Sequence, residues 1–318
     1  MKFDPIQHEE LRHELDTATK RKQTIAWRLL PGKPAPAAVC RRGNAKAARG
    51  LKWEGMTRGD HHRRISAGLV ALLVICLASV PQANSGPVRP EAGAAGAEAA
   101  VPFRVGEKLD YRVGWQTFLT AATAQVRVQA RRPFYGRAAW HFQATARTVE
   151  PVRYLYTLDD QFDSYTDTVS LGSMQYETYL REMSGREDTR IRMSADGEAE
   201  QGNGPTVRVP PGTRDPLGAF FSVRAVDWEQ ATESKMHVYD GKKLYELRAR
   251  KVSAAETVTV PAGEFSATRI EMRVYERNRE LTSTRFHVWL AQNPARTPVL
   301  IEAELPFGTF RVELTRVQ

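Results

Sequence analysis

The sequence predicts a mainly β protein: a single large antiparallel sheet, curved into a half-barrel or a barrel, with one short central helix at about 215–226. Three observations predict it. From Phe103 onward apolar and polar residues alternate, as Val126, Val128 and Ala130 do with Gln125, Arg127, Gln129 and Arg131. That period of two gives one buried and one wet face, the habit of antiparallel sheets. Turn signals recur at short intervals, which suits a meander of about a dozen strands. A single segment, RDPLGAFFSVRAVDW (Arg214–Trp228), breaks into helical spacing.

Taken in order, the chain begins with a basic tract. Residues 1–85 hold 15 Lys and Arg against 7 Asp and Glu, and the remaining residues hold 31 against 30. The net charge of +9 therefore belongs almost wholly to the first 85 residues. The rest is mixed in sign, which argues against a nucleic-acid partner. Arg58, His61, His62, Arg63 and Arg64 precede the uncharged run ISAGLVALLVICLASV (Ile65–Val80), and Ala83 and Ser85 follow with small-x-small spacing. A positive segment, an apolar segment and small residues make a signal peptide over 56–85, with the domain periplasmic or secreted. The alternative is an uncleaved inner-membrane anchor, with membrane contact through residues 65–80 and the domain outside the cytoplasm. Residues 1–55 read as a mis-called extension ahead of a start at Met56, or as a disordered cytoplasmic tail. Both cysteines, Cys40 and Cys76, lie in these leading segments. Ile75 is too bulky for the position before a lipidated cysteine. Residues 86–102 are small and lack any apolar period, and read as a flexible linker.

The β domain spans 103–317. Its turns are expected at Pro133–Gly136, Asp196–Gly197, Pro210–Gly212, Asp240–Gly241, Pro261–Gly263 and Pro306–Gly308. Asp240-Gly241 between HVY and KKLYEL is a two-residue hairpin signal. In TVTVPAGEFSATRI (Thr257–Ile270), Pro261 ends a strand and Gly263 supplies turn freedom, so a second hairpin follows. From position 269 onward the apolar residues of its second strand are the even-numbered ones. Asp215 can cap the central helix and Pro216 suits its first turn, with Leu217, Phe220, Phe221 and Arg224 at helical spacings. A shorter helical or irregular piece fits Glu150–Tyr156.

The sequence carries no recognisable catalytic pattern. There is no G-x-S-x-G, no cysteine beyond Cys76, and no glycine-rich loop leading into a helix. His141, His237 and His287 are isolated from one another along the chain, each within a strand pattern. Asp159-Asp160 and Glu187-Asp188 are adjacent pairs, and adjacency on a strand sends side chains to opposite faces. No catalytic residue, metal ligand or cofactor is predicted. Trp115, Trp140, Trp228, Trp289 and Tyr154, Tyr156, Tyr176 and Tyr179 fit core packing better than a ligand-lined interior.

Four pieces carry a resemblance. FRVGEKLDYRVGW (Phe103–Trp115), RDPLGAFFSVR (Arg214–Arg224), VPAGEFSATRI (Val260–Ile270) and HVWLAQNPARTPVLIEAELPFGTF (His287–Phe310) together resemble domain-of-unknown-function family 3108 (DUF3108). The resemblance implies an exported bacterial protein with a β-rich domain, and implies no activity. Asn293-Pro294 and Ala219 depart from the family's pattern in those segments. The general look is similar to that of periplasmic lipoprotein carriers, whose curved sheets hold acyl chains under a helical lid. Export, alternation and one aromatic-bearing helix point to a non-enzymatic envelope protein binding an apolar ligand or an envelope protein. A structural or interaction module with a closed core is the alternative, and an envelope hydrolase using convergent carboxylates or His287 a second.

Overall fold

The computed structural model describes residues 98–116, 118–306 and 308–318. The expected extension, the signal segment and the linker up to residue 97 lie outside the described residues. The first half of the domain holds β1 (Lys108–Trp115), β2 (Phe118–Phe134), β3 (Arg137–Thr148), β4 (Asp159–Asp167) and β5 (Ser173–Glu182). It continues with β6 (Gly185–Met193), β7 (Glu198–Gln201) and β8 (Val207–Arg208). The second half holds β9 (Glu233–Tyr239), β10 (Leu244–Val260) and β11 (Gly263–Glu276). β12 (Arg279–Ala291), β13 (Pro298–Leu305) and β14 (Gly308–Val317) complete it. Helix α1 (Val152–Leu155) joins β3 to β4, and α2 (Pro216–Ala225) joins β8 to β9.

All 14 strands form one antiparallel sheet in the order β8-β7-β6-β5-β4-β3-β2-β1-β14-β13-β12-β11-β10-β9. Every neighbour is a neighbour in sequence except the central pair, where β1 and β14 meet, for example at Val113↔Val312. Of the two expected shapes the open one is found, with β8 and β9 as the free edges. The count exceeds a dozen because β7 and β8 have only four and two residues, too few for alternation to register.

Alternation places the core. Leu109, Tyr111 and Val113 of β1 and Ala122, Ala124, Val126 and Val128 of β2 are buried on one face, while Asp110, Arg112 and Gln125 point away. The hairpin at Pro261 forms with Val258 opposite Phe265 and Val260 opposite Gly263. Ile270, Met272 and Val274 are its buried residues, as the pattern predicts, but Ala267 is buried too. The register shifts between Lys251 and Glu256 lie opposite this stretch. The extra residues lie on β10, and a bulged strand bends and twists more strongly at that point. The β9–β10 hairpin also forms, but its loop runs over Asp240–Lys243. Asp240 Oδ1 accepts from the N–H groups of Lys242 and Lys243, both at 2.7 Å, so the aspartate braces the turn from its first position. Gly241 sits at φ +95°, and a Cβ there would come within 2.4 Å of Ile191 Cδ1 on β6. The tip of the second half therefore packs against the first.

The open seam is bridged by chain. Arg214 donates its N–H to His237 O at 2.9 Å and accepts from Tyr239 N–H at 2.8 Å, covering part of the β9 edge. One residue earlier, Thr213 O accepts from Ser173 N–H at 3.0 Å on β5. On the other side, Glu98–Pro102 is docked rather than loose. Ala99 N–H reaches Thr168 O at 3.0 Å, and Ala99 and Val101 pack on the core. Packing thus starts at Ala99, four residues before the expected domain start.

Candidate functional site

The inside of the curved sheet is where a carrier would hold its ligand, and α2 lies there. Asp215 caps it in extended conformation, Pro216 opens it, and every residue from Pro216 to Arg224 is buried. A mostly apolar helix buried on every side belongs to a core rather than to a surface. Phe142 of β3 stacks on Phe221 at 3.7 Å between centroids, and Phe103 meets Trp140, Phe142 and Phe221 edge-on at 5.1–5.4 Å.

Polar groups fasten both helix ends. At the start, Asp215 accepts from Gly218 N–H at 2.8 Å and Ser164 Oγ at 2.6 Å, and from Ser173 Oγ. Ser173 Oγ in turn accepts from the Asp215 N–H at 2.7 Å. Burial pushes the Asp215 carboxyl above the usual carboxylate range, with the two serine hydroxyls and the helix N–H groups pulling against it. Gly218 has no side chain because a Cβ would meet Ser173 Oγ at 2.8 Å and Asp215 Oδ2 at 3.1 Å. At the far end, fully buried Arg224 forms a two-pronged pair with Glu107, at 2.5 and 2.9 Å. Its remaining donors reach Ala295 O at 2.7 and 2.9 Å. Arg296 returns the contact, donating to the terminal carbonyls of Ala225 and Val226 at 3.1 and 3.0 Å. Trp228 Nε1 donates to Val223 O at 2.8 Å. These bonds answer the orphan groups that every helix end leaves.

The outer face carries a groove of about 720 Å³ across β1–β4, lined among others by Asp110, Arg112, Thr123, Gln125, Arg147 and Gln161. Its charges are partly answered internally. Gln125 Nε2 donates to Asp110 at 2.7 Å, Arg112 pairs with Glu313 at 2.5 Å and Arg147 with Asp159 at 3.1 Å.

The residues weighed as chemical candidates are dispersed. His141 on β3 bonds Asp163 through Nε2 at 2.7 Å and stacks on Tyr165 at 4.5 Å. His237 is exposed on the β9 edge. His287 is half-buried on β12, and burial together with the Arg269 charge lowers its pKa below the usual histidine value. Among the described residues no three His, Cys, Asp or Glu side chains gather where they could hold a metal ion. Asp159 and Asp160 do face opposite sides of β4: Asp159 meets Arg147 and Arg153, while Asp160 is buried. Glu187 and Asp188 are both exposed, the latter paired with Arg181. The aromatic residues pack or cap: Trp115 stacks on Phe310, Tyr176 on Phe162, and Trp289 Nε1 donates to Glu256 at 2.7 Å. Tyr154 is the exception, 72% exposed on α1. Asn293 accepts from Thr297 N–H at 3.2 Å, shaping the loop that grips α2, and Ala219 is fully buried within α2. Sequence reasoning missed Glu107 and Ser164 as partners of the helix ends. Each is an unremarkable polar residue in a strand region, and only the sheet's curvature brings it to α2.

The fold and its interior define an antiparallel β protein, open at one seam and filled by its own helix. The chain belongs to the family described as protein of unknown function (DUF3108), whose model matches residues 110–315. No curated protein matches it. Among solved structures it is similar to a beta-barrel-like protein of domain of unknown function DUF1849 from Brucella abortus. The identity is 8% and the TM-score 0.47, with 67% of this chain and 97% of that one covered. A Bacteroides fragilis protein described as an exported-protein candidate with a YmcC-like fold shares 13% identity at a TM-score of 0.30, with 70% and 100% covered. A lipoprotein candidate from Parabacteroides distasonis shares 10% at 0.33, with 69% and 97% covered. Among the described residues no helix is long and apolar enough to cross a membrane.

Proposed function

We propose that this is an exported, non-enzymatic interaction module whose core is closed and whose outer sheet face meets an envelope partner. The signal-like order of residues 56–85 supports export. The observation that carries the rest is the occupied interior: α2 lies where an acyl chain would lie in a carrier, and buried polar bonds hold both its ends. An apolar ligand would have to displace Phe221 from Phe142 and break the Arg224–Glu107 pair, which costs several kcal/mol. The groove of about 720 Å³ on β1–β4 is the partner-facing surface in this reading, and its mixture of carboxylate, guanidinium and amide groups suits a polar partner.

Native mass spectrometry of the protein recovered from its own envelope tests this. The expected spectrum is a bare polypeptide beginning after Ser85, with nothing stoichiometric released by organic solvent. A lipid released at one per chain would replace this reading with the carrier. An N-terminus upstream of residue 65 on the mature protein would replace cleavage with anchoring.

A further inference from the structure

The strongest unexplained chemistry lies at the end of β4 and β5. Asp160 is 3% exposed, and its Oδ2 has no hydrogen-bond partner. Its other oxygen accepts from Arg181 N–H at 2.9 Å. Glu182, the last residue of β5, is similar: Oε1 is shut off from solvent without a partner, and Oε2 accepts from Tyr156 at 2.7 Å and from Ser184 at 3.3 Å. Gln161 pairs with Tyr179 and Leu158 bridges to Glu182, so Leu158, Asp160 and Glu182 point to one face of the sheet. Two acceptor-only oxygens thus lie on the same face of adjoining strands, away from water and facing no donor. An ionised carboxylate in such a place is costly, and a proton on Asp160 removes both that cost and its repulsion by Glu182.

We propose that buried Asp160 keeps a proton and, beside the Glu182 carboxylate that Tyr156 bonds, forms an acid-fastened latch that holds α1 and the β5–β6 turn to the end of the sheet. The elements it fastens are joined to it directly. Tyr156, which follows α1, bonds Glu182, and Met183 N–H donates to Thr157 O at 2.9 Å. The groups facing Asp160 are few. β5 brings Glu182 and Arg181, the α1 end brings Tyr156, and Asp159 on the same strand turns to Arg147 and Arg153. β3 brings the uncharged Ala146 opposite.

Burial, first, and the charges of Glu182 and Asp159 push the Asp160 carboxyl up to about 6, against the Arg181 N–H and guanidinium. In the opened segment the group regains its ordinary value of about 3.9. Between those values the closed form binds a proton that the open form does not, so closure weakens as pH rises through that window and is level above it. When the latch opens in this range Asp160 ends ionised and the proton goes to solvent.

Hydrogen exchange of the Tyr156 and Met183 amides in the full chain, corrected for intrinsic rates, reads the latch. Protection is expected to fall tenfold or more between pH ~4.5 and ~7, a shift of about a factor of ten for each pKa unit separating the two forms. Asp160→Asn, neutral at every pH, is expected to keep the acid level of protection throughout. A wild-type profile level across that range, or an Asp160→Asn profile with the wild-type slope, would overturn the proposal. So would millimolar calcium restoring full protection at neutral pH, since a cation rather than a proton would then be what neutralises the site. If Asp160→Asn does not fold, carboxyl carbon-13 titration of the wild type decides: Asp160 titrating at its ordinary value sinks the latch.

Discussion

At the scale of single residues this protein is defined by polar groups in places where polar groups are expensive. Arg224 and Glu107 form a pair with no exposed guanidinium. Removing one partner strands the other charge, whereas replacing both by apolar residues of similar volume is close to neutral. Arg224→Ala is expected to cost about 3–5 kcal/mol in denaturant unfolding. Arg224→Met with Glu107→Leu is expected to recover most of that loss; equal loss in the double variant would show the pair has no mutual role. His287 supplies one part of the pH dependence. Its folded pKa lies below the ordinary value, so the unfolded chain binds the proton first as pH falls. The stability it contributes is therefore present above pH ~6.5 and is lost as pH drops toward the folded pKa. His287→Gln is expected to flatten that part of the pH profile, with proton NMR of the wild-type ring titrating below pH ~6.5 as the direct check.

At the scale of elements, α2 decides how the interior is used. Its start was legible because Asp-Pro is a cap followed by a residue made for the first turn. Its burial on every side was not legible, since four residues at helical spacing also fit an amphipathic lid. The reason for Gly218 is likewise tertiary: the serines that bond Asp215 come from β4 and β5, 42 to 51 positions away. Gly218→Ala is expected to destabilise the domain despite alanine's higher helix propensity, by about 1–3 kcal/mol, because it overpacks that cluster. A gain in thermal midpoint would show that the cluster yields. Phe221→Ala, which removes the ring stacked on Phe142, is expected to cost about 3–5 kcal/mol in the same assay.

At the scale of the whole molecule, the first and last strands of the described domain lie side by side. Lys108 and Gln318 exchange backbone bonds at 3.0 and 2.9 Å, and β1 pairs with β14 along their length. The continuous meander is broken at β8 and β9, far along the chain from either end. A circular permutant joining Gln318 to Glu98 through a short glycine-serine linker, and opened at the Arg277–Asn278 turn, is expected to unfold cooperatively near the wild-type midpoint. Deletion of β14 leaves β1 and β13 with unpaired edges at the centre of the sheet, and aggregated material is expected in size-exclusion chromatography. A soluble, cooperatively folded deletion variant would show that the central pairing is dispensable.

The sequence by itself determined the β class, the hairpins at Pro133–Gly136 and Pro261–Gly263, and the helix after Asp215. All of these rest on local causes: side-chain alternation, turn chemistry and a cap, each acting within a few residues. Only the tertiary structure decided that the sheet stays open and that β1 meets β14. It likewise decided that α2 fills the interior and that Asp160 and Glu182 face one side. Those outcomes depend on strand curvature and on contacts between residues up to about two hundred positions apart, and no local pattern records which distant partner a strand or a buried charge will meet.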